Sequence, residues 1–481
     1  MQLGKAAFLM TECKPKTIEF HPLGSREVAG HFDGGEITSD AGGLLLREVE
    51  QRTGILKKFA ICFVDYRNPV AIEHPVQDLV AQRVYGLCLG YEDLNDHDQL
   101  RADPLLAVMV GKTDPKGENR RDDRDRGKAL AGKSTLNRLE RTPADAGAGD
   151  RYQKTVMQPE AIDRLFVDHF LDAHERPPIQ IVLDLDATDD PVYGHQEGRF
   201  FHGYYDCYCY LPLYIFCGEF LLSAQLRSAG IDAAKGALAD LKRVVKQIRS
   251  RWRRVPILVR GDSGFCRDAI MSWCEGEGID YVFGLAKNPR LLEEIKAELK
   301  AAEEESTKTK EAARIYKNFR YQTLEKTWSR TRRVIGKAEY VHKKGDNPRF
   351  VVTSLPQKWF PAPVVYEAMY CQRGEMENRI KEQQLGLFAD RTSTSTMHAN
   401  QLRLYFSSIA YLMMHDLRRL ALKGTDLERA QCTTIRLKLL KIGAQIHVSV
   451  RRVWIRMAAG YPYKEAYQQA FSNLQQIPLL C

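Results

Sequence analysis

Apolar and polar positions along this chain fall into stretches of distinct period. Residues 179–186 form a short β-rich apolar run, which predicts a strand. Residues 200–224 alternate aromatic and β-branched side chains, with turn signals at Leu211-Pro212 and Cys217-Gly218, and predict two further strands in a meander. Residues 233–251 carry Ala237, Leu238, Leu241, Val245 and Ile248 at helical spacing. A strand over 256–260 runs into Gly261-Asp262, a helix covers 268–274, and a strand covers 281–285.

The order strand, strand, strand, helix, strand, helix, strand implies an α/β fold, a mixed sheet with helices on its faces in the order of the ribonuclease-H-like fold. Residues 291–313 read as a charged helix. Residues 323–341 and 349–355 alternate like strands about the turn Gly345-Asp346-Asn347-Pro348, which predicts a β-rich insertion interrupting the mixed sheet. Helical pattern returns over 364–385, and an all-helical tail begins near 399. Upstream, Thr38, Ser39 or Asp40 can cap a helix carrying Leu44 to Leu46 and Val49, and a second helix covers 75–89. Residues 111–150 hold the runs ENRRDDRDRGK and ADAGAGD and are expected to be a linker or DNA-contacting loop around a short helix, STLNRLE. The expected division is a mainly helical DNA-binding region with a charged linker (1–150), a first catalytic part (151–289), the insertion (290–362), the rest of the catalytic domain (363–421) and a basic helical C-terminal region (422–481).

Composition narrows the class. At 481 residues and 44% hydrophobic content the chain can bury a sizeable core, and no run suits a membrane span. The segment MQLGKAAFLMTECKPK makes a poor signal peptide, since Glu12, Lys14 and Lys16 follow its short apolar stretch. Eleven cysteines without CxxC spacing point to reduced thiols and a cytoplasmic protein. The net charge of +9 favours a polyanionic partner. Lysines and arginines concentrate between Lys242 and Arg254, where Arg249 and Arg253 are the candidate DNA contacts, and again in the tail, with Arg418, Arg419, Arg436 and Arg451 among others. Such clusters neutralise phosphates and release counterions.

Candidate chemistry lies in three acids. Asp186 ends the first strand in LDLDATDD, with Asp184 on the same strand face as an alternative. Asp262 follows the fourth strand in VRGDSGF. In open α/β sheets functional groups gather at the carboxyl ends of strands, so these acids should converge. In YCQRGEMENRIKEQ, Tyr370, Arg373, Glu377 and Lys381 step by three, four and four and form one helical stripe. Glu375 points about 200° away from Glu377 around the helix. Hard oxygen ligands suit Mg²⁺ or Mn²⁺, and two such ions about 3.5–4 Å apart activate a water or 3′-hydroxyl and stabilise the leaving oxygen of a phosphodiester.

With these motifs in place, the chain resembles bacterial insertion-sequence transposases of the Asp-Asp-Glu class, in the branch with a β-strand insertion and a Tyr-x2-Arg-x3-Glu-x6-Lys signature. Tyr370, Arg373 and Glu377 match that signature. Gln384 stands where it has its final lysine, and Lys381 lies one turn earlier. The resemblance spans roughly residues 38–419. It implies catalytic and metal-binding roles for Asp186, Asp262 and Glu377, and two Mg²⁺ or Mn²⁺ ions. It also implies double-stranded DNA partners (terminal inverted repeats and target DNA), a homodimer in a synaptic complex, and a nucleoid-associated protein. Tyr370, Arg373, Lys381 and an exposed Trp328, stacking on a flipped base, would contact DNA. Two other readings are a ribonuclease-H-fold nuclease without strand transfer and a non-catalytic DNA-binding regulator.

Residues 127–134, GKALAGKS, match the P-loop pattern, but the preceding NRRDDRDR cannot form the buried strand a P-loop needs, so no nucleotide cofactor is expected. His195 and His202 read as loop or hairpin histidines making local hydrogen bonds.

Overall fold

Alternation along Ile181–Ala187 explains the centre of the molecule. Ile181, Leu183 and Leu185 point into one hydrophobic core, and Val182, Asp184 and Asp186 face the other way. This computed structural model describes residues 17–324 and 327–480. The N-terminal segment weighed as a signal peptide therefore lies outside the described residues.

The strand belongs to a large mixed sheet in the order Phe220–Gln225, Leu213–Cys217, Ile181–Ala187, Ile257–Gly261, Asp280–Leu285, Arg349–Thr353, Arg332–Val341, Ala313–Tyr321. Ile181–Ala187, Ile257–Gly261 and Asp280–Leu285 run parallel, and the neighbours on both sides run antiparallel. The strands of the 313–353 region do not form a sheet of their own. Arg349–Thr353 pairs with Asp280–Leu285, so the insertion extends the central sheet. The expected charged helix over 291–313 stops at Thr309, because Ala313 already pairs with Tyr340 as a strand.

Helices Ala237–Arg251, Asp268–Glu277 and Pro289–Glu294 contribute Leu241, Val245, Ile270, Met271 and Leu291 to the core on one face. On the other face, Leu258, Val282, Ile335 and Val351 meet Val365 and Tyr366 of a π-helical stretch, Val364–Tyr370, that leads through Cys371–Arg373 into the helix Gly374–Leu387. Met397–Asp416 is capped by Thr396, whose Oγ1 accepts from the Ala399 amide at 3.3 Å, and is buried nearly all round. It shares one core with the helices Leu44–Thr53 and Val76–Leu89 and with the tail helix Lys464–Gln475.

Two expectations are corrected. Residues 111–150 are mostly irregular but packed, because Leu130, Leu136 and Leu139 are buried and Glu140 is gripped by Arg83 and Arg403 at 2.9 and 2.8 Å. The tail is not all helical, since Ala444–Val448 and Val453–Met457 form a hairpin that pairs with Glu36–Thr38. Among the described residues, no helix is long and apolar enough to cross a membrane.

Candidate active site

Strand register brings the first two acids together. Arg260 lies opposite Asp184 and Gly261 opposite Leu185 in a parallel pair, so the next residue, Asp262, falls beside Asp186 at the carboxyl ends. Asp184 is consumed by structure. Arg260 Nε and Nη2 donate to its two oxygens at 2.6 and 2.7 Å in a buried fork. Asp186 instead opens on a cleft of about 560 Å³ whose walls also carry Asp262, Glu377, Arg373, Lys381 and Gln384.

Asp262 starts the single turn Ser263–Phe265, and its Oδ1 accepts from the Gly264 amide at 2.8 Å. Glu377 projects from Gly374–Leu387 and is exposed. Arg373 bridges two of the acids, with Nη1 donating to Asp186 at 3.2 Å and Nη2 to Glu377 at 3.4 Å. Glu375 reaches Arg379 instead, at 3.7 Å. Gln384 donates to the Asp189 carbonyl at 3.0 Å and ties this helix to the chain beyond Asp186. Tyr370 sits at the back. A Cβ on Gly284 would lie 2.5 Å from its hydroxyl and 2.9 Å from the Ser263 amide, so only glycine lets the Asp262 turn and Tyr370 approach this strand.

Burial pushes the Asp186 carboxyl up to about 6; Arg373 opposes that shift, while Asp262 and Glu377 add to it. Acids therefore outweigh their cationic partner at the strand ends. Among the described residues, no three His, Cys, Asp or Glu side chains stand close enough to hold a metal ion in the present arrangement, in which Arg373 takes up oxygens of Asp186 and Glu377.

Other predicted residues lie elsewhere. Trp328 is 5% exposed, packed edge-on to Tyr321 at 5.7 Å with Arg332 over its ring. The expectation of an exposed stacking face there is corrected, because the loop folds the indole into the core beneath the sheet. Arg249 pairs with Glu277 at 2.9 Å and, with exposed Arg253, Lys242 and Lys246, lines a separate shallow depression. Tail arginines are partly structural. Arg418 is buried against Glu382, and Arg436 donates to the Cys88 and Leu87 carbonyls at 2.8 and 3.1 Å, satisfying the end of Val76–Leu89. In the GKALAGKS segment, the Lys133 amide at the helix start donates to Asp98 at 3.1 Å, where a P-loop would hold phosphate.

Reading by motif overlooked several cleft residues. His202, Tyr204 and Tyr205 reach the cleft from a small three-stranded sheet built of Asp190–Pro191, Phe200–His202 and Cys207–Tyr210. The aromatic density of FFHGYYDCYCY was a usable signal. Gly284 in the middle of an apolar strand was another.

Comparison with known proteins adds three findings. A family model described as "Transposase DDE domain group 1" matches residues 20–479. No curated protein matches the sequence. Among solved structures, the cryo-EM structure of a piggyBac transposase synaptic complex with hairpin DNA matches at 12% identity, over 84% of this chain and 80% of that chain, with a TM-score of 0.40.

Proposed function

We propose, from the premise that this chain belongs to the transposase DDE domain group 1 family and is a transposase, that it binds the terminal inverted repeats of its own element and cuts and rejoins DNA with Asp186, Asp262 and Glu377 as its catalytic carboxylates. The observation that carries the reading is the convergence of three acids from three separate elements on one cleft, in excess of the arginine between them. The strand sequence 3-2-1-4-5 of the central sheet, antiparallel on one side and parallel on the other, supports a ribonuclease-H-like core.

The oxygen donors suit Mg²⁺ or Mn²⁺, and Asp186, Asp262 and Glu377 would hold two such ions. When bound, the ions supply Lewis acidity to activate a water or 3′-hydroxyl and to stabilise the leaving oxygen of a phosphodiester. The chain's own residues do the rest. Asp262 is fixed by the Gly264 amide. Arg373 holds Asp186 and Glu377 until these turn away from it, and then has its guanidinium free for a phosphate. Lys381 lies on the same wall as a second cation for the DNA backbone. Tyr370 and Gly284 fix the depth of the cleft. Arg249 and Arg253 mark a second contact surface for duplex DNA. Pairing two element ends calls for two copies of the chain.

The test uses duplexes carrying the repeat from the element's end, with Mg²⁺ or Mn²⁺. Asp262→Ala and Glu377→Ala should abolish strand cleavage while end binding persists. Unchanged cleavage would overturn the site. Cleavage without joining to a target plasmid would favour a nuclease of the same fold over a transposase.

A further inference from the structure

Beside the cleft, the small sheet of Asp190–Pro191, Phe200–His202 and Cys207–Tyr210 shows an uncommon surface. Tyr204, at the turn, is 85% exposed, and Phe201 and Tyr208 are 45% and 47% exposed. Phe201 and Tyr208 are directly opposed across the strands, so they share a face, with ring centroids 5.5 Å apart. Arg199 lies over the Tyr208 ring at 4.5 Å, and its guanidinium also meets His195 at 2.8 Å. The opposite face is anchored, since Cys209 is buried with Leu211 and Ala229. The turn is held by Asp206 in the left-handed region, at φ 53°. Tyr204 and Tyr205 meet at 5.0 Å and both line the cleft that holds Asp186 and Asp262.

We infer that this sheet is a stacking platform for single-stranded DNA leading into the carboxylate cleft, with Tyr204 taking the base nearest the acids and Phe201 and Tyr208 the bases beyond. The inference rests on the proposed DNA chemistry of that cleft. Paired bases hide their faces, so exposed rings that run from the cleft outward suit unpaired bases, whichever their sequence. The cation beside Tyr208 suits the phosphates that accompany them, and a ring bearing an arginine serves both parts of a nucleotide. The surface is continuous with the cleft through His202 and Tyr204, which places stacked bases next to the bond to be cut.

The experiment measures binding in EDTA by fluorescence anisotropy, with labelled terminal-repeat DNA that is either blunt or carries a short single-stranded tail with 2-aminopurine. The full chain should prefer the tailed end by about ten-fold or more and alter the 2-aminopurine emission on binding. Phe201→Ala/Tyr204→Ala/Tyr208→Ala should bind the blunt duplex as before and lose that preference, whereas Tyr204→Phe should keep it. Melting by circular dichroism shows that each variant is folded. Equal affinity of the wild type for both DNAs, or a triple variant that keeps the preference, would overturn the platform. So would a triple variant that changes only the oligomeric state, which would give the surface to a second copy. Cleavage in Mg²⁺ by the wild type is read separately. Its absence counts against the proposed function, while the EDTA binding result decides the platform.

Discussion

Asp268 and Glu275, on one side of the central sheet, and Asp186, Asp262 and Glu377, on the other, use the same chemical groups to opposite effect. In the first cluster buried Arg332 satisfies both acids, with Nη1 on Asp268 at 2.6 Å and Nε on Glu275 at 2.8 Å, and Arg330 adds a second cation at 3.3 Å. Hydrogen bonds from Ser329 and Arg332 hold the Asp268 carboxyl below its usual range against the cost of burial, and Arg332 and Tyr281 do the same for Glu275. At the cleft the balance is reversed. Arg373 alone bridges two acids, a third stands beside them, and Asp186 moves up to about 6. Acids whose charge is matched by their neighbours hold the fold together, and acids left in excess are available to a ligand.

The sharpest way to break this comparison is a matched pair of substitutions. Asp262→Asn should lower strand cleavage by about a hundred-fold or more in a gel assay, because it removes a proposed metal ligand, and should leave the melting temperature little changed. Asp268→Asn should leave cleavage per folded molecule unchanged and lower stability. A cleavage defect in Asp268→Asn, or none in Asp262→Asn, would erase the distinction between the clusters.

Arg332→Met should cost about 3 kcal/mol in urea unfolding, because it strands two partly buried acids without their cation. Loss of much less would mean that solvent, not Arg332, satisfies them.

Asp186→Asn gives the smallest effect, and one that depends on pH. The folded value of about 6 lies above the unfolded value of 3.8, so Asp186 favours the fold fully only below about pH 4, and that contribution is lost as pH rises through 6. In EDTA the variant should match the wild type at pH 4 and exceed it by about 1–3 kcal/mol at pH 8. Equal stability at both pH values would show that the site is not strained by its charge.

Much of the catalytic half was legible because its signals are short in range. The strand and helix order from 181 to 285 follows from local period, and the phase of Glu377 against Glu375 follows from helix geometry. Errors arose where a local signal had two outcomes. Trp328 sits among polar residues in a loop, and only contact with Tyr321 shows that the indole is buried. The segment 444–457 alternates, with Ile446 opposite Ile455 and Val448 opposite Val453, but its density of arginines read as a basic helix. Arg418 and Arg436 looked like DNA contacts because a sequence shows charge and not the partner that absorbs it.

The sequence by itself therefore determined which acids stand at strand ends and on which helix stripe the third one lies, since side-chain direction follows from the backbone period. Only the tertiary structure decided between Asp184 and Asp186. Both point to the same face, and the choice turns on Arg260, a residue far along the chain whose fork neutralises one acid and leaves the other to the cleft. Charge compensation is a property of neighbours in space, and no local pattern encodes it.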